Sequence, residues 1–171
     1  NHVLHTSRAP AEVTSAQEDR ARDIGRAIAD TLDLVGVLAV ELFETEDGEL
    51  LVNELAPRGH NSGHLTLGAS ETSQFEQHVR AVCDLPLGDP KLLSPAVMLN
   101  LLGDLWLRGP LAIDRILAHR GAHLHLYGKA DARPGRKMGH VTILGDQLDT
   151  CVAEADRLGS RFWPSSPASS G

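Results

Sequence analysis

The amino-acid sequence predicts an α+β fold in which an antiparallel sheet with covering helices is followed by a small β-rich lobe. Two apolar runs, 37–43 and 49–55, flank an Asp-Gly dipeptide, and this combination is typical of a β-hairpin. Apolar residues recur with helical spacing before and after the hairpin, at 10–32 and 70–84. A stretch rich in proline and glycine at 86–90 then gives way to shorter apolar runs, which predicts a boundary between two parts of the chain.

Composition and charge limit the classes of function. With 171 residues, the chain is long enough for one or two small domains with a core of their own. The formal net charge of −7 and the scattered basic residues argue against a nucleic-acid surface. The sequence shows neither an apolar run that spans a bilayer nor a signal peptide. Cys83 and Cys151 lack metal-ligand spacing, so we expect reduced thiols in a cytoplasmic protein with no membrane partner.

The first helix, predicted over 10–32, has clear start signals. Thr14 or Ser15 can act as its N-cap, and Glu18 lies three residues after Ser15, as in a capping box. The apolar stripe of this helix is expected to cover the sheet that the hairpin joins.

The hairpin brings two carboxylates face to face. With the Asp-Gly dipeptide as a two-residue loop, Glu46 pairs with Glu49, and counting back along both strands places Glu41 opposite Glu54. Two such carboxylates, about 5 Å apart at Cβ, repel each other unless a cation lies between them. Mg²⁺ is the natural occupant, although an acidic hairpin with its carboxylates apart in solvent fits the pattern as well. Asn53 points to the other face of an ideal strand, so a role beside the metal requires a bulge.

Cationic and polar side chains follow the second strand closely. Pro57 ends that strand because proline has no N–H to donate. The planar guanidinium of Arg58 matches an oxyanion with two adjacent oxygens, and His60, Asn61 and Ser62 come directly after it. A carboxylate pair beside an anion-binding loop is what a phosphoryl or acyl-phosphate reaction requires.

The remaining elements are shorter. We expect a second helix to run from Ser70 or Glu71 to about Asp84. The later elements are predicted as strands over 96–102, 122–127 and 140–144, a short helix over 111–119 and a last helix over 147–158.

A basic loop and four histidines are further candidates. Lys129, Arg133, Arg136 and Lys137 surround a Pro-Gly turn and attract a phosphate, although composition alone favours a solvated loop. The histidines are expected to have structural roles, and for the two in 122–127 the reason is that no cysteine or carboxylate completes a metal site beside them. They are His2 and His5 at the start of the chain and His123 and His125 on one face of 122–127.

Four motifs in a fixed order resemble one known family. They are V-E-L-F…G-E-L-L-V-N-E-L-A-P-R-G-H-N-S-G-H at 40–64, E-T-S-Q-F-E-Q-H-V-R-A-V at 71–82, L-P-L-G at 85–88 and R-P-G-R-K-M-G-H at 133–140. This set resembles the N5-carboxyaminoimidazole ribonucleotide synthetases, the ATPase subunits of phosphoribosylaminoimidazole carboxylase, which are ATP-grasp ligases of purine biosynthesis.

The resemblance implies a domain plan. Residues 1–88 are then the carboxy-terminal part of an ATP-grasp domain, and 89–160 form a small β-rich carboxy-terminal domain. The low-complexity end, 161–171, is predicted to be disordered. By the same resemblance the chain looks like the carboxy-terminal part of a larger, homodimeric protein and is expected to be inactive alone.

The resemblance also implies a reaction. Bicarbonate attacks the γ-phosphorus of ATP to give carboxyphosphate, and the carboxyl group then passes to the amine of aminoimidazole ribonucleotide. The implied cofactors are ATP and Mg²⁺. The implied metal ligands are Glu41 and Glu54, with Asn53 and Glu54 at the nucleotide phosphates. The implied catalytic residues are Arg58, His60, Asn61 and Ser62, and the implied ribonucleotide-binding residues are Asn61, Lys129, Arg136 and Lys137.

Two alternatives stay open. The chain can belong to another ATP-grasp carboxylate–amine ligase with a different acceptor. It can also be a non-catalytic β-rich binding domain whose acidic hairpin is structural.

Overall fold

The computed structural model describes residues 3–162, whose contacts divide the chain into two compact units. We call residues 11–92 the hairpin unit, and residues 3–10 together with 93–162 the sheet unit. Both contain antiparallel strands and helices, so the predicted α+β class is confirmed. The boundary lies at 92 rather than 88, and residues 3–10 group with the second unit instead of the first.

Strands and helices alternate irregularly along residues 3–162. In chain order they are β1 (Thr6–Ala9), α1 (Ser15–Thr31), β2 (Ala39–Glu44), β3 (Leu50–Ala56), a 3-10 helix (Asn61–Leu65), α2 (Thr66–Ala69), α3 (Gln74–Val82), β4 (Ala96–Leu102), α4 (Gly103–Arg108), α5 (Ile113–Leu117), β5 (Ala122–Leu126), β6 (Lys137–Leu144) and α6 (Leu148–Phe162).

The sheet unit is built on a four-stranded antiparallel sheet with the order β1-β4-β6-β5. Every residue of β4 is buried, which explains why six of its seven residues are apolar instead of alternating with polar ones. Helix α6 covers the sheet with Cys151, Ala155 and Leu158 in the core. β6 starts at Lys137, three residues before the predicted start, because Met138 and Gly139 continue the pairing with neighbouring strands.

The hairpin unit pairs β2 with β3 and packs α1 against β3. Helix α1 is capped by Thr14, whose Oγ1 accepts a hydrogen bond from the Gln17 N–H (3.2 Å) while the Gln17 side chain accepts one from the Thr14 N–H (2.9 Å). The capping box expected between Ser15 and Glu18 is therefore wrong by one residue. The Gln17 Nε2 also donates to the Glu44 carboxylate (2.5 Å), so the same residue fixes the start of α1 to the hairpin.

The histidines and the chain end fall partly within the described range. His123 is exposed, while the ring of His125 stacks on His140 with centroids 4.6 Å apart. The carbonyl of His5 accepts a hydrogen bond from the Asn100 N–H (2.9 Å) and so takes part in strand pairing. His2 lies outside residues 3–162, as does the predicted tail from residue 163 onward, and residues 161–162 end α6.

No helix within residues 3–162 combines the length and apolar character needed to cross a membrane.

The two cysteines have opposite environments. Cys83 is exposed, Cys151 is buried, and neither forms a disulfide within the range that the structure describes. Burial raises the pKa of the Cys151 thiol, and the nearby Asp146 carboxylate raises it further. The Cys151 Sγ donates to the carbonyl oxygen of Pro95 over 3.6 Å, which also favours the protonated form.

This difference predicts selective alkylation. Because the thiolate is the nucleophile, iodoacetamide at pH 8 should modify Cys83 at least about a hundredfold faster than Cys151 in the folded protein. Peptide mass spectrometry of timed samples measures both rates, and unfolding in guanidinium should make them similar. Equal rates in the folded protein would contradict the buried position of Cys151.

Candidate active site

The turn of the hairpin is longer than predicted. The Thr45 N–H donates to the Glu49 carbonyl and the Gly48 N–H donates to the Thr45 carbonyl, each over 2.9 Å. The loop therefore has three residues and ends with Gly48 at φ +80°, the left-handed conformation that closes such loops. The predicted pair of Glu46 with Glu49 is wrong, and the register beside the turn is displaced by one residue.

A bulge at Asn53 reverses this displacement. Leu42 pairs with Val52 and Glu41 pairs with Glu54, so Asn53 is the extra residue of β3. The predicted pairing of Glu41 with Glu54 is thus confirmed. The bulge also brings the Asn53 Nδ2 to 3.3 Å from the Glu41 Oε2, to which it donates a hydrogen bond.

The oxygen donors at this position fit Mg²⁺. Two carboxylates face each other across the ladder, and the side chains of Glu41 and Glu54 both reach solvent. Mg²⁺ is usually held by one or two carboxylates and completes its shell with phosphate oxygens and water. Within residues 3–162 no group of three or more His, Cys, Asp or Glu side chains can hold a metal, so an ion here needs such additional oxygens.

His60 is directed at the carboxylate pair. Its side chain is only 13% exposed, and its Nε2 lies 3.4 Å from the Glu41 Oε1. The Nδ1 accepts the Ser62 backbone N–H (3.4 Å) and lies 2.8 Å from the Ser62 Oγ. Because a backbone N–H can only donate, the ring hydrogen belongs on Nε2, where it faces Glu41.

Arg58 and Asn61 lie on either side of His60 in the same loop. Arg58 is exposed; its backbone N–H donates to the Ala56 carbonyl (2.8 Å), and its Nη1 donates to the Gly59 carbonyl (3.0 Å). Asn61 is half-buried at the first position of the 3-10 helix. The structure therefore brings Glu41, Asn53, His60 and Ser62 into direct contact, with Arg58 and Asn61 adjacent in the chain.

Sequence reasoning missed an apolar pair beside the carboxylates. Phe43 pairs with Leu51, and the two side chains are 60% and 51% exposed. Alternation along β2 places Phe43 on the same face as Glu41. An apolar run usually predicts a buried strand, so no pattern in the sequence indicated that these side chains remain accessible.

Gln74 at the start of α3 was also missed. Its Oε1 accepts the His60 N–H (2.9 Å), and its Nε2 donates to the His60 carbonyl (2.8 Å). The only signal in the sequence is that Gln74 belongs to the 71–82 motif.

The predicted phosphate-binding residues lie in the sheet unit, in the segment that leads from β5 to the first residue of β6. The Lys129 Nζ donates to the Lys137 carbonyl (2.6 Å) and lies 5.4 Å from the centre of the Tyr127 ring. The Arg136 Nη1 donates to the Asp131 carbonyl (2.8 Å). Both contacts use backbone oxygens, so they shape the loop without neutralising its positive charge.

A carboxylate outside this basic loop holds its turn. The Gly135 N–H donates to the Asp104 carboxylate over 2.7 Å, and Gly135 has φ +71°. Arg133 lies 3.8 Å from the Asp131 carboxylate, with both side chains more than 70% exposed, so this ion pair adds little stability.

Two family models match the chain. An ATP-grasp domain matches residues 1–75, and a phosphoribosylaminoimidazole carboxylase C-terminal domain matches residues 96–154. The N5-carboxyaminoimidazole ribonucleotide synthase of Bacillus subtilis (strain 168) is 52% identical over 154 residues, which cover 90% of this chain. The chain belongs to the N5-carboxyaminoimidazole ribonucleotide synthetase family. It spans 40% of the length of that Bacillus relative.

Solved structures of this synthetase family agree with the fold. The ADP complex of an N5-carboxyaminoimidazole ribonucleotide synthetase is 48% identical with a TM-score of 0.88, over 96% of this chain and 42% of that one. A synthase from Aspergillus clavatus, in complex with ADP and 5-aminoimidazole ribonucleotide, is 34% identical with a TM-score of 0.86, over 94% of this chain and 44% of that one.

The facing carboxylates predict a measurable repulsion. In EDTA, where no metal is bound, Glu54→Gln should stabilise the hairpin and raise its opening free energy by about 0.2–1 kcal/mol. The reason is that like charges directly opposite each other destabilise a ladder. Hydrogen exchange of the β2 and β3 amides measures this change.

Glu49→Gln is the matched control, because Glu49 is exposed in the same hairpin and pairs with Thr45. An equal gain in both variants would show that general charge, not the facing pair, is responsible. Added Mg²⁺ should reduce the difference between Glu54→Gln and the unmodified protein.

Proposed function

We propose that this chain contributes to the ATP-dependent carboxylation of aminoimidazole ribonucleotide by bicarbonate, through carboxyphosphate, to N5-carboxyaminoimidazole ribonucleotide. The observation that carries the proposal is the pairing of Glu41 with Glu54 beside the ring of His60. Support comes from relatives that are named for this product, one of them solved with ADP and 5-aminoimidazole ribonucleotide.

The hairpin is the proposed nucleotide and metal site. Glu41 and Glu54 would hold Mg²⁺, while Asn53 donates to one oxygen of the Glu41 carboxylate and the His60 Nε2 lies 3.4 Å from the other. When bound, Mg²⁺ neutralises charge on the transferred phosphoryl group. The exposed Phe43 offers an apolar surface to the base of the nucleotide.

The loop after β3 is the proposed bicarbonate site. Arg58 presents a cation for two oxygens of bicarbonate or carboxyphosphate, and it lines a cleft of about 240 Å³ that also contains Ser70 and Thr72. Such hydroxyl groups can donate to an oxyanion without adding charge. His60, Asn61 and Ser62 would orient the anion and the attacking amine.

The basic loop of the sheet unit is the proposed phosphate site. Arg136 and Lys137 would bind the 5′-phosphate of the ribonucleotide, with Lys129 beside them. The side chains of Lys129 and Arg136 donate to backbone carbonyls of the loop and hold its shape before the ligand binds. This reduces the conformational entropy lost on binding.

Two broader proposals accompany this function. We propose a cytoplasmic location, supported by the free thiols of Cys83 and Cys151. We also propose a homodimer, which sedimentation of the natural protein would test.

Phosphate release tests the reaction. In the complete natural protein that contains this chain, release from Mg-ATP should require both bicarbonate and aminoimidazole ribonucleotide. Glu54→Gln should lower kcat by about a hundredfold or more, because it removes one carboxylate of the metal pair. Glu49→Gln should leave release unchanged.

Two other outcomes of the phosphate-release experiment would change the proposal. Release that is indifferent to the ribonucleotide would keep an ATP-grasp site and reject this acceptor. Absence of release with all three substrates would favour a non-catalytic binding domain.

The basic loop predicts a substrate-specific defect. Arg136→Met should raise the KM for aminoimidazole ribonucleotide roughly ten- to a hundredfold, since a charge-assisted hydrogen bond contributes about 1.5–3 kcal/mol. The KM for ATP should stay within about twofold of the unmodified value. Arg133→Met, which removes a neighbouring exposed charge, is the control, and equal defects in both variants would reject a specific phosphate contact.

A further inference from the structure

Helix α3 carries two glutamines that make the same type of contact one turn apart. The Gln74 amide hydrogen-bonds to both sides of His60, through the backbone N–H (2.9 Å) and the carbonyl (2.8 Å). The Gln77 amide does the same at Gly88, where the N–H lies at 3.0 Å and the carbonyl at 2.6 Å. Each glutamine therefore holds one loop residue at its main chain, and only Gln74 holds a residue of the proposed site.

The contacts of Gln74 fix the orientation of its amide. The His60 N–H can only donate and the His60 carbonyl can only accept, so Oε1 faces the first and Nε2 the second. The same Nε2 lies 2.8 Å from the His64 Nδ1, which must therefore act as an acceptor. His64 is thus held with its ring hydrogen on Nε2.

The loop backbone is shaped around this amide. A Cβ on Gly63 would lie 2.8 Å from the Gln74 Oε1, closer than non-bonded atoms approach. The Thr66 hydroxyl donates to the Gly63 carbonyl (2.6 Å) and accepts the Gln74 backbone N–H (3.1 Å), which ties the loop to the first residue of α3. Any side chain at Gly63 must displace the Gln74 amide or the loop.

We propose that Gln74 is a positioning residue for the proposed reaction, which acts by holding the main chain of His60 so that its ring N–H stays directed at Glu41. The Nε2 of His60 lies 3.4 Å from the Glu41 carboxylate, so a small rotation of the loop is enough to lose this contact. The catalytic part of this inference rests on the proposed function. The positioning part rests only on the contacts of the loop.

The positioning part is tested by hydrogen exchange and by histidine NMR on the complete natural protein. Gln74→Leu should speed exchange of the His60 amide by about tenfold or more, because it removes the acceptor of that N–H. Gln77→Leu is the matched control and should instead affect the Gly88 amide. An unchanged His60 exchange rate in folded Gln74→Leu would overturn the proposal.

The isosteric change Gln74→Glu gives a spectroscopic signature. A carboxylate still accepts the His60 N–H but cannot donate to His64, so the His64 ring hydrogen should move to Nδ1. The ¹⁵N shifts of the His64 ring report this change directly. Gln77→Glu should leave them unaltered, and unaltered shifts in Gln74→Glu would also overturn the proposal.

Gly63→Ala provides a second route if Gln74→Leu fails to fold. It should speed His60 exchange by displacing the Gln74 amide, and it should add little in a Gln74→Leu background, because both changes disrupt one contact. Full additivity of the two effects would contradict the proposed coupling.

Kinetics separate this inference from the proposed function. Gln74→Leu should lower kcat for phosphate release about tenfold or more while the KM for ATP changes less than about threefold, and Glu49→Gln should change neither. An altered His60 with unchanged kcat would overturn the catalytic part alone. If the unmodified protein releases no phosphate, the proposed function fails, and the exchange and NMR results still decide the positioning.

Discussion

Two carboxylates held opposite each other across a ladder are the constraint around which the hairpin unit is arranged. Like charges in directly opposite positions cost about 0.2–1 kcal/mol, so a sheet selected for stability alone would avoid them. In this hairpin the cost is offset in part by N–H donors, because Asn53 and His60 each direct a hydrogen at a Glu41 oxygen. The bulge, the 3-10 helix and the amide of Gln74 all serve to bring these donors to the carboxylate.

The pairing of Glu41 with Glu54 was predictable, although the loop length and the bulge that produce this register were not. Alternation and the Asp-Gly dipeptide indicate a hairpin, but the same dipeptide suits both a two-residue loop and the last two positions of a three-residue loop. A bulge is a local backbone irregularity without a side-chain pattern of its own. The longer loop and the bulge at Asn53 each displace the register by one residue, in opposite directions, so the expected partners meet beyond the bulge.

Other features were beyond sequence reasoning because they depend on contacts between distant residues. Strand β1 pairs with β4, and neither the composition nor the periodicity of four residues specifies that partner. The contact between Gln74 and His60 is of the same kind, since a polar residue at a helix start usually faces solvent. The predicted catalytic residues came instead from motif resemblance, which identifies residue types and order but contains no information on hydrogen-bond partners.

The division of the chain into two units also affects when its strands can pair during synthesis. The hairpin unit is continuous in sequence, whereas the sheet unit combines residues 3–10 with residues beyond 92. During synthesis from the amino end, β1 emerges before the hairpin unit but meets its partner β4 only after the whole hairpin unit has left the ribosome. Until then, β1 cannot pair with β4, and completion of the four-stranded sheet depends on closure of the long intervening segment.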